Sequence, residues 1–192
     1  MDPVPPREQQ RRDSWRALQA AAVELVGRRG LTAVTVDDIA AAAGVSRRTF
    51  FNHFPAKAAA LFDPDPADVE LLHRLLATTD GTADLWGALR AVWLGFLADH
   101  RGLALTPVRR RLVADPELAA YQRSAHRFVE VALDRWAAEQ LPGDPVTASL
   151  AVHAAGAVVG SAFATWSPDE LPAAFVAGAA GNFDRLAPAF RT

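Results

Sequence analysis

Two adjacent arginines, a threonine, an asparagine, a histidine and three phenylalanines crowd into GVSRRTFFNHFPAK, residues 44–57. These groups are suited to binding rather than to bond making. A guanidinium can grip guanine with two hydrogen bonds, a carboxamide can do the same with adenine, and a ring can touch the methyl of thymine. Hydroxyl, imidazole and ammonium groups suit phosphates, which position a protein without reading sequence. Catalytic patterns are missing by comparison. The five histidines, His53, His73, His100, His126 and His153, show no HxH or HExxH spacing. The chain has no cysteine, no glycine-rich phosphate loop and no serine elbow. No metal site, cofactor or catalytic residue is therefore expected, and the chain reads as something other than an enzyme.

The segment can work only if helices hold it. Trp15, Leu18, Ala22 and Leu25 recur at three- and four-residue steps, which predicts an amphipathic helix over about residues 9–29. Arg28 and Arg29 suit its last turn, and Gly30 follows as the stop. In TVDDIAAAAG, Thr35 is a natural N-cap and Thr-x-x-Asp is close to a capping box. Ile39 and Ala43 give that second helix an inward face, and Gly44 ends it. Ser46 can cap a third helix at once, so the pair forms a helix-turn-helix. At about 100° per residue, Phe50 and Phe54 share one side of the third helix, while Arg48 and Asn52 lie about 160–200° from Phe50. Thr49, Phe51 and His53 fall on the flanks. Arg47 sits nearer the anchored side, at the helix start, where its stem can reach outward. The candidate DNA-contacting set is Thr35, Ser46, Arg47, Arg48, Thr49, Phe51, Asn52, His53 and Lys57. A merely solvated helix face is the competing reading, and Phe51, a large ring beside polar groups, argues against it.

These residues also carry a family resemblance. Positions 13–62, with ELVGRRG, TVDDIAAAAGVS and an aromatic-x-x-Phe-Pro-x-Lys close, resemble the amino-terminal DNA-binding domain of the TetR family of transcriptional regulators. The SRRTFF variant is similar to actinobacterial members, including those associated with mycofactocin clusters. The resemblance implies a homodimer whose third helices read a palindromic operator, and a carboxy-terminal domain that binds an inducer and the partner subunit. It assigns base reading to Arg47 and Arg48, and phosphate contacts to Thr49, His53 and Lys57. The family often has tyrosine where Phe51 stands, its hydroxyl on a phosphate. Phe51 has no hydroxyl to offer, so packing on sugar or a thymine methyl is expected instead.

Beyond residue 62 the helical punctuation continues, with helices expected over 67–78, 83–100, 102–113, 116–140, 144–166 and 169–187. The expected architecture is all-α: a helix-turn-helix domain with a basic amino-terminal arm over 1–62, and a helical ligand-binding and dimerisation domain over 63–192. Small residues of the next-to-last helix (Ala155, Gly156, Val159, Gly160 and Phe163) permit close helix approach. Phe175, Ala179 and Phe183 form a matching stripe on the last helix. The last two helices are thus the expected homodimer contact. Trp86, Trp93, Phe96 and Trp136, with His100 and His126 as polar contacts, are the candidate walls for an unidentified small molecule, although such aromatics also build plain cores. Arg109–Arg111, with Arg123 and Arg127, can bind an anion or simply face water.

Composition sets the frame. At 192 residues and 51% hydrophobic content, the chain can bury roughly 70% of its unfolded surface without metal or disulfide. Residues 1–63 carry nine Lys/Arg against seven Asp/Glu, although the whole chain is at −2. A locally basic front on an acidic body suggests that only the front meets a polyanion. The absence of cysteine and of an apolar leader fits a reducing cytoplasm. Residues 146–166 are apolar but small, which favours a buried helix over a membrane span. The functional expectation is a ligand-responsive DNA-binding regulator, most readily a repressor. The competing class is a helical ligand-binding or protein-interaction module without specific DNA recognition.

Overall fold

The computed structural model describes residues 6–99 and 101–190. All regular structure among them is helical. The chain divides into two compact units. The first runs to Pro66 and takes in Arg111–Ala125; the second comprises Ala67–Arg110 and the chain from His126 onward.

In the first unit, α1 (Pro6–Arg29) packs on α2 (Val36–Ala42) and α4 (Lys57–Phe62), and α2 packs on α3 (Arg47–His53). Trp15, Leu18, Ala22 and Val26 of α1 are buried with Val34, Ile39, Phe50, Phe54, Leu61 and Phe62. Val26 rather than Leu25 completes the α1 stripe, Leu25 being only half-buried. Ala40 likewise replaces Ala43 beside Ile39. Both helix-ending glycines take left-handed backbone, Gly30 at φ 82° and Gly44 at φ 68°. At Gly44 the Val45 amide donates to Ala40 and the Gly44 amide to Ala41, at 2.9 and 3.1 Å. That is the paired bonding of a Schellman motif, and it turns the chain directly into α3.

The basic arm is partly spoken for within the protein. Arg12 pairs with Glu8 at 2.9 Å, and Arg16 grips the buried Asp65 at 2.7 Å. The hydrogen bond to Asp65 raises the pKa of Arg16 further. Gln19 donates to the Asp63 carbonyl and Tyr121 to its carboxylate, which fixes the Asp-Pro-Asp-Pro bend after Phe62. Arg7 and Arg11 remain exposed.

The second unit contains α5 (Pro66–Thr78, from its second residue), α6 (Leu85–Asp99), most of α7 (Thr106–Leu112), the later part of α8 (Pro116–Gln140), α9 (Pro145–Thr165) and α10 (Pro172–Leu186). The helix expected over 102–113 is instead a 3-10 turn, Arg101–Leu105, followed by α7. Pro107 has no N–H to give the Leu103 carbonyl, so an α-helix cannot run unbroken through it. Packing of α6, α9 and α10 buries Leu89, Val92, Ala151, Val152, Ala155, Val158, Phe175, Ala179 and Phe183. The stripe of Phe175, Ala179 and Phe183 thus serves this unit's own core, as does Ala155. Helix α9 is long and apolar enough to cross a membrane, and the side that meets α6 and α10 is buried.

Candidate nucleic-acid interface

The helix starts of the α2–α3 pair each have a definable local cause. Thr35 caps α2: its hydroxyl accepts from the Asp38 amide at 3.1 Å, while its own amide and hydroxyl donate to Asp38 Oδ2 at 2.8 and 2.7 Å. Those bonds lower the Asp38 pKa, the side-chain bond most. The expected capping box is complete. As a result the Thr35 hydroxyl proton is committed to Asp38, which leaves its oxygen as an acceptor only. Ser46 caps α3 in the same way, accepting from the Thr49 amide at 3.1 Å, and the two hydroxyls lie 2.8 Å apart.

Phe50 and Phe54 are fully buried and anchor α3, with Phe54 5.2 Å from the Trp15 ring. The outward face follows from that anchor. The Arg48 and Asn52 side chains are exposed and make no hydrogen bond or ion pair to any described residue. Phe51 is 46% exposed and stands edge-on to Phe50 at 5.4 Å. Arg47 behaves differently from Arg48. Its Nη1 donates to Asp37 Oδ2 at 2.7 Å, and its guanidinium lies over the Phe51 ring at 5.3 Å. Asp37 was legible in the sequence only as an acid in the first turn of α2, where it suits the helix dipole. Its position against Arg47 required the turn geometry.

His53 is half-buried at the end of α3. Burial first, and the nearby Arg11 second, hold its pKa below 6.5. The imidazole is therefore neutral at neutral pH, a donor of one N–H but not a cation. Lys57 is directed inward: its Nζ donates to the Leu31 and Val34 carbonyls at 2.8 and 2.7 Å. Two of its three protons thus tie the loop before α2 to the start of α4. Of the nine candidate residues, Arg48, Asn52, Phe51 and the Ser46–Thr49 pair share the open side of α3. Arg47 is paired beside them, and Thr35 and Lys57 brace the backbone.

Among the ligand candidates in the second unit, Trp86, Trp93, Phe96 and Trp136 all belong to one buried core, with different local neighbours. Trp93 lies edge-on to Phe96, and Phe96 edge-on to Phe128, each at 6.4 Å. The Trp93 indole N–H is buried without a hydrogen-bond partner. Trp86 packs elsewhere in that core: it donates to the Phe183 carbonyl at 3.2 Å and stacks on Phe190 at 4.2 Å. Trp136 packs against Gly81, where a Cβ would fall 2.9 Å from the ring. His126 is half-buried on α8, and His100 lies outside the described residues. Neither reading of the 109–111 run fits all of it. Arg109 is buried, and Arg110 donates to the Ala164 carbonyl at 2.6 Å, near the end of α9. An open groove on α9 and α10 is lined instead by Ala157, Val158, Ser161, Asn182, Arg185 and Leu186, none of them in the expected set.

Residues 18–63 match the model of the bacterial regulatory proteins of the tetR family. The Mycobacterium tuberculosis protein named as mycofactocin biosynthesis transcriptional regulator MftR is 32% identical over 177 residues, covering 86% of this chain and 88% of that protein. Among solved structures, the fatty acid degradation regulator FadR from Bacillus halodurans aligns with a TM-score of 0.56 at 18% identity, over 95% of this chain and 96% of that one. A TetR-family transcriptional regulator from Rhodococcus sp. aligns at 0.53 and 19%, over 92% and 98%. At such identities these two speak for the shared fold alone. The capped helix-turn-helix, the family match and the MftR likeness together place this chain in the TetR family, as a DNA-binding transcriptional regulator.

Proposed function

We propose that the chain is a dimeric repressor that binds a palindromic operator and is released by a small molecule. The carrying observation is the division of α3: Phe50 and Phe54 fully buried on one side, Arg48 and Asn52 exposed and unpaired on the other. Long polar side chains presented from an anchored helix are what base-edge recognition needs. In this reading Arg48 takes guanine, Asn52 takes adenine, and Phe51 packs on sugar or a thymine methyl. Ser46, Thr49 and His53 meet phosphates. Arg47 reads a further guanine once it leaves Asp37, and Thr35 and Lys57 hold the frame.

The dimer assignment is supported by what α9 and α10 leave outside. Val146, Leu150, His153, Ala157, Gly160 and Ala164 recur at three- and four-residue steps on the exposed side of α9. Leu171, Ala174, Gly178 and Gly181 do so on and beside α10. Small and apolar residues on both elements allow close two-fold packing. The ligand assignment rests on the aromatic run of Trp93, Phe96 and Phe128, which suits an apolar or aromatic compound. The MftR likeness makes mycofactocin biosynthesis genes the proposed target set, and the cytoplasm is the proposed setting.

Selection from a random duplex library tests this directly. Wild-type protein should enrich a palindrome, and Arg48→Ala should lose about 1–3 kcal/mol of preference for it while keeping its binding to random duplex. Failure of the wild type to enrich any sequence would favour the interaction-module reading.

A further inference from the structure

An acidic side chain on a surface that meets phosphates demands a reason. Asp37 is 64% exposed in the first turn of α2, and its one partner among the described residues is Arg47. It does not cap the helix, because Asp38 and Thr35 already complete that exchange. Arg47, 60% exposed, is turned toward the Asp37 carboxylate and laid over Phe51. Arg48, the next residue, has no such restraint.

We infer that Asp37 is a specificity-determining residue that acts through Arg47, holding that guanidinium back from indiscriminate phosphate contact. The inference rests on the DNA-binding reading of α3. An exposed ion pair is weak. A single phosphate contact is similarly weak, so exchanging Asp37 for a random phosphate gains Arg47 little. A bidentate contact to a correctly placed guanine is stronger, and only there does leaving the carboxylate become favourable. Asp37 thus lowers affinity for random duplex more than for the operator, and the ratio between them rises.

The test compares wild type, D37N, R47A and D37N/R47A. Each is titrated with the duplex enriched by wild-type protein and with a random-sequence duplex of equal length, across a salt series. Circular dichroism on each variant confirms retained helix. D37N should bind random duplex about three- to tenfold more tightly, with its logarithmic salt slope steeper by about 0.9, the value for one added phosphate contact. Its operator-to-random ratio should fall correspondingly. In the R47A background the same substitution should leave that ratio unchanged. A D37N effect of equal size in both backgrounds would mean plain charge repulsion and would overturn the inference. So would a D37N protein with an unaltered ratio. Both failures leave wild-type discrimination intact, whereas a wild type that fails to discriminate removes the DNA-binding reading and this inference with it.

Discussion

Neutral His53 shows how one side chain can couple DNA affinity to pH. Burial and Arg11 hold its pKa below 6.5 in the free protein. A phosphate placed beside the imidazole would favour the charged form and raise that pKa, so binding takes up a proton. Affinity should therefore climb as pH falls from about 7.5 toward 6, approaching about tenfold for each unit by which the two pKa values differ. His53→Gln should flatten the profile. The folding equilibrium responds with the opposite sign. Because the folded-state pKa is depressed below the unfolded value, the histidine's contribution is full above about 6.5 and is lost as pH falls through the folded value. Fluorescence anisotropy with duplex, paired with urea unfolding at each pH, separates the two trends. Equal pH profiles for His53→Gln and wild type would remove His53 from the phosphate set.

At the scale of elements, the turn from α2 to α3 depends on Gly44. Its φ of 68° is one that a side chain disfavours, although no atom lies within 4 Å of where a Cβ would stand. Gly44→Ala should therefore destabilise through backbone strain alone, by roughly 1–2 kcal/mol, with Gly44→Asn milder. Urea unfolding followed by circular dichroism measures both, and an unchanged alanine variant would contradict the strain argument. Local signals of this kind made the first unit legible in sequence: Thr35 with Asp38, Ser46, Gly30, Gly44 and the Phe50–Phe54 pair all have short-range causes. The site was less legible wherever a long side chain chose between solvent and a partner. Nothing in the spacing says that Arg47 turns to Asp37, that Arg16 turns to Asp65, or that Lys57 turns to two carbonyls. The aromatic candidates of the second unit share that limit. Trp86 and Trp93 sit seven residues apart on one helix, yet one meets Phe183 and Phe190 while the other belongs with Phe96. Periodicity places a residue on a face, but only tertiary packing decides what it meets.

For the whole molecule, the proposed dimer turns on the apolar residues that α9 and α10 leave exposed. Leu150 is 62% exposed and Val146 67% exposed on α9, and Leu171 is 78% exposed just before α10. None of these supports the core of its own chain, so replacing one should leave the single chain folded. In a two-fold interface the same residue meets its own copy's neighbourhood twice, and Leu150→Glu would bury two unpaired carboxylates there. The variant should keep its helix content but sediment as a monomer at concentrations where wild type is dimeric. Its operator affinity should collapse, because half-sites about 34–36 Å apart are read together only by a linked pair of recognition helices. Its weak binding to random duplex should persist, since the phosphate-facing Ser46, Thr49 and His53 are untouched. A variant that stays dimeric would show that α9 presents its apolar stripe to something other than a second copy of the chain.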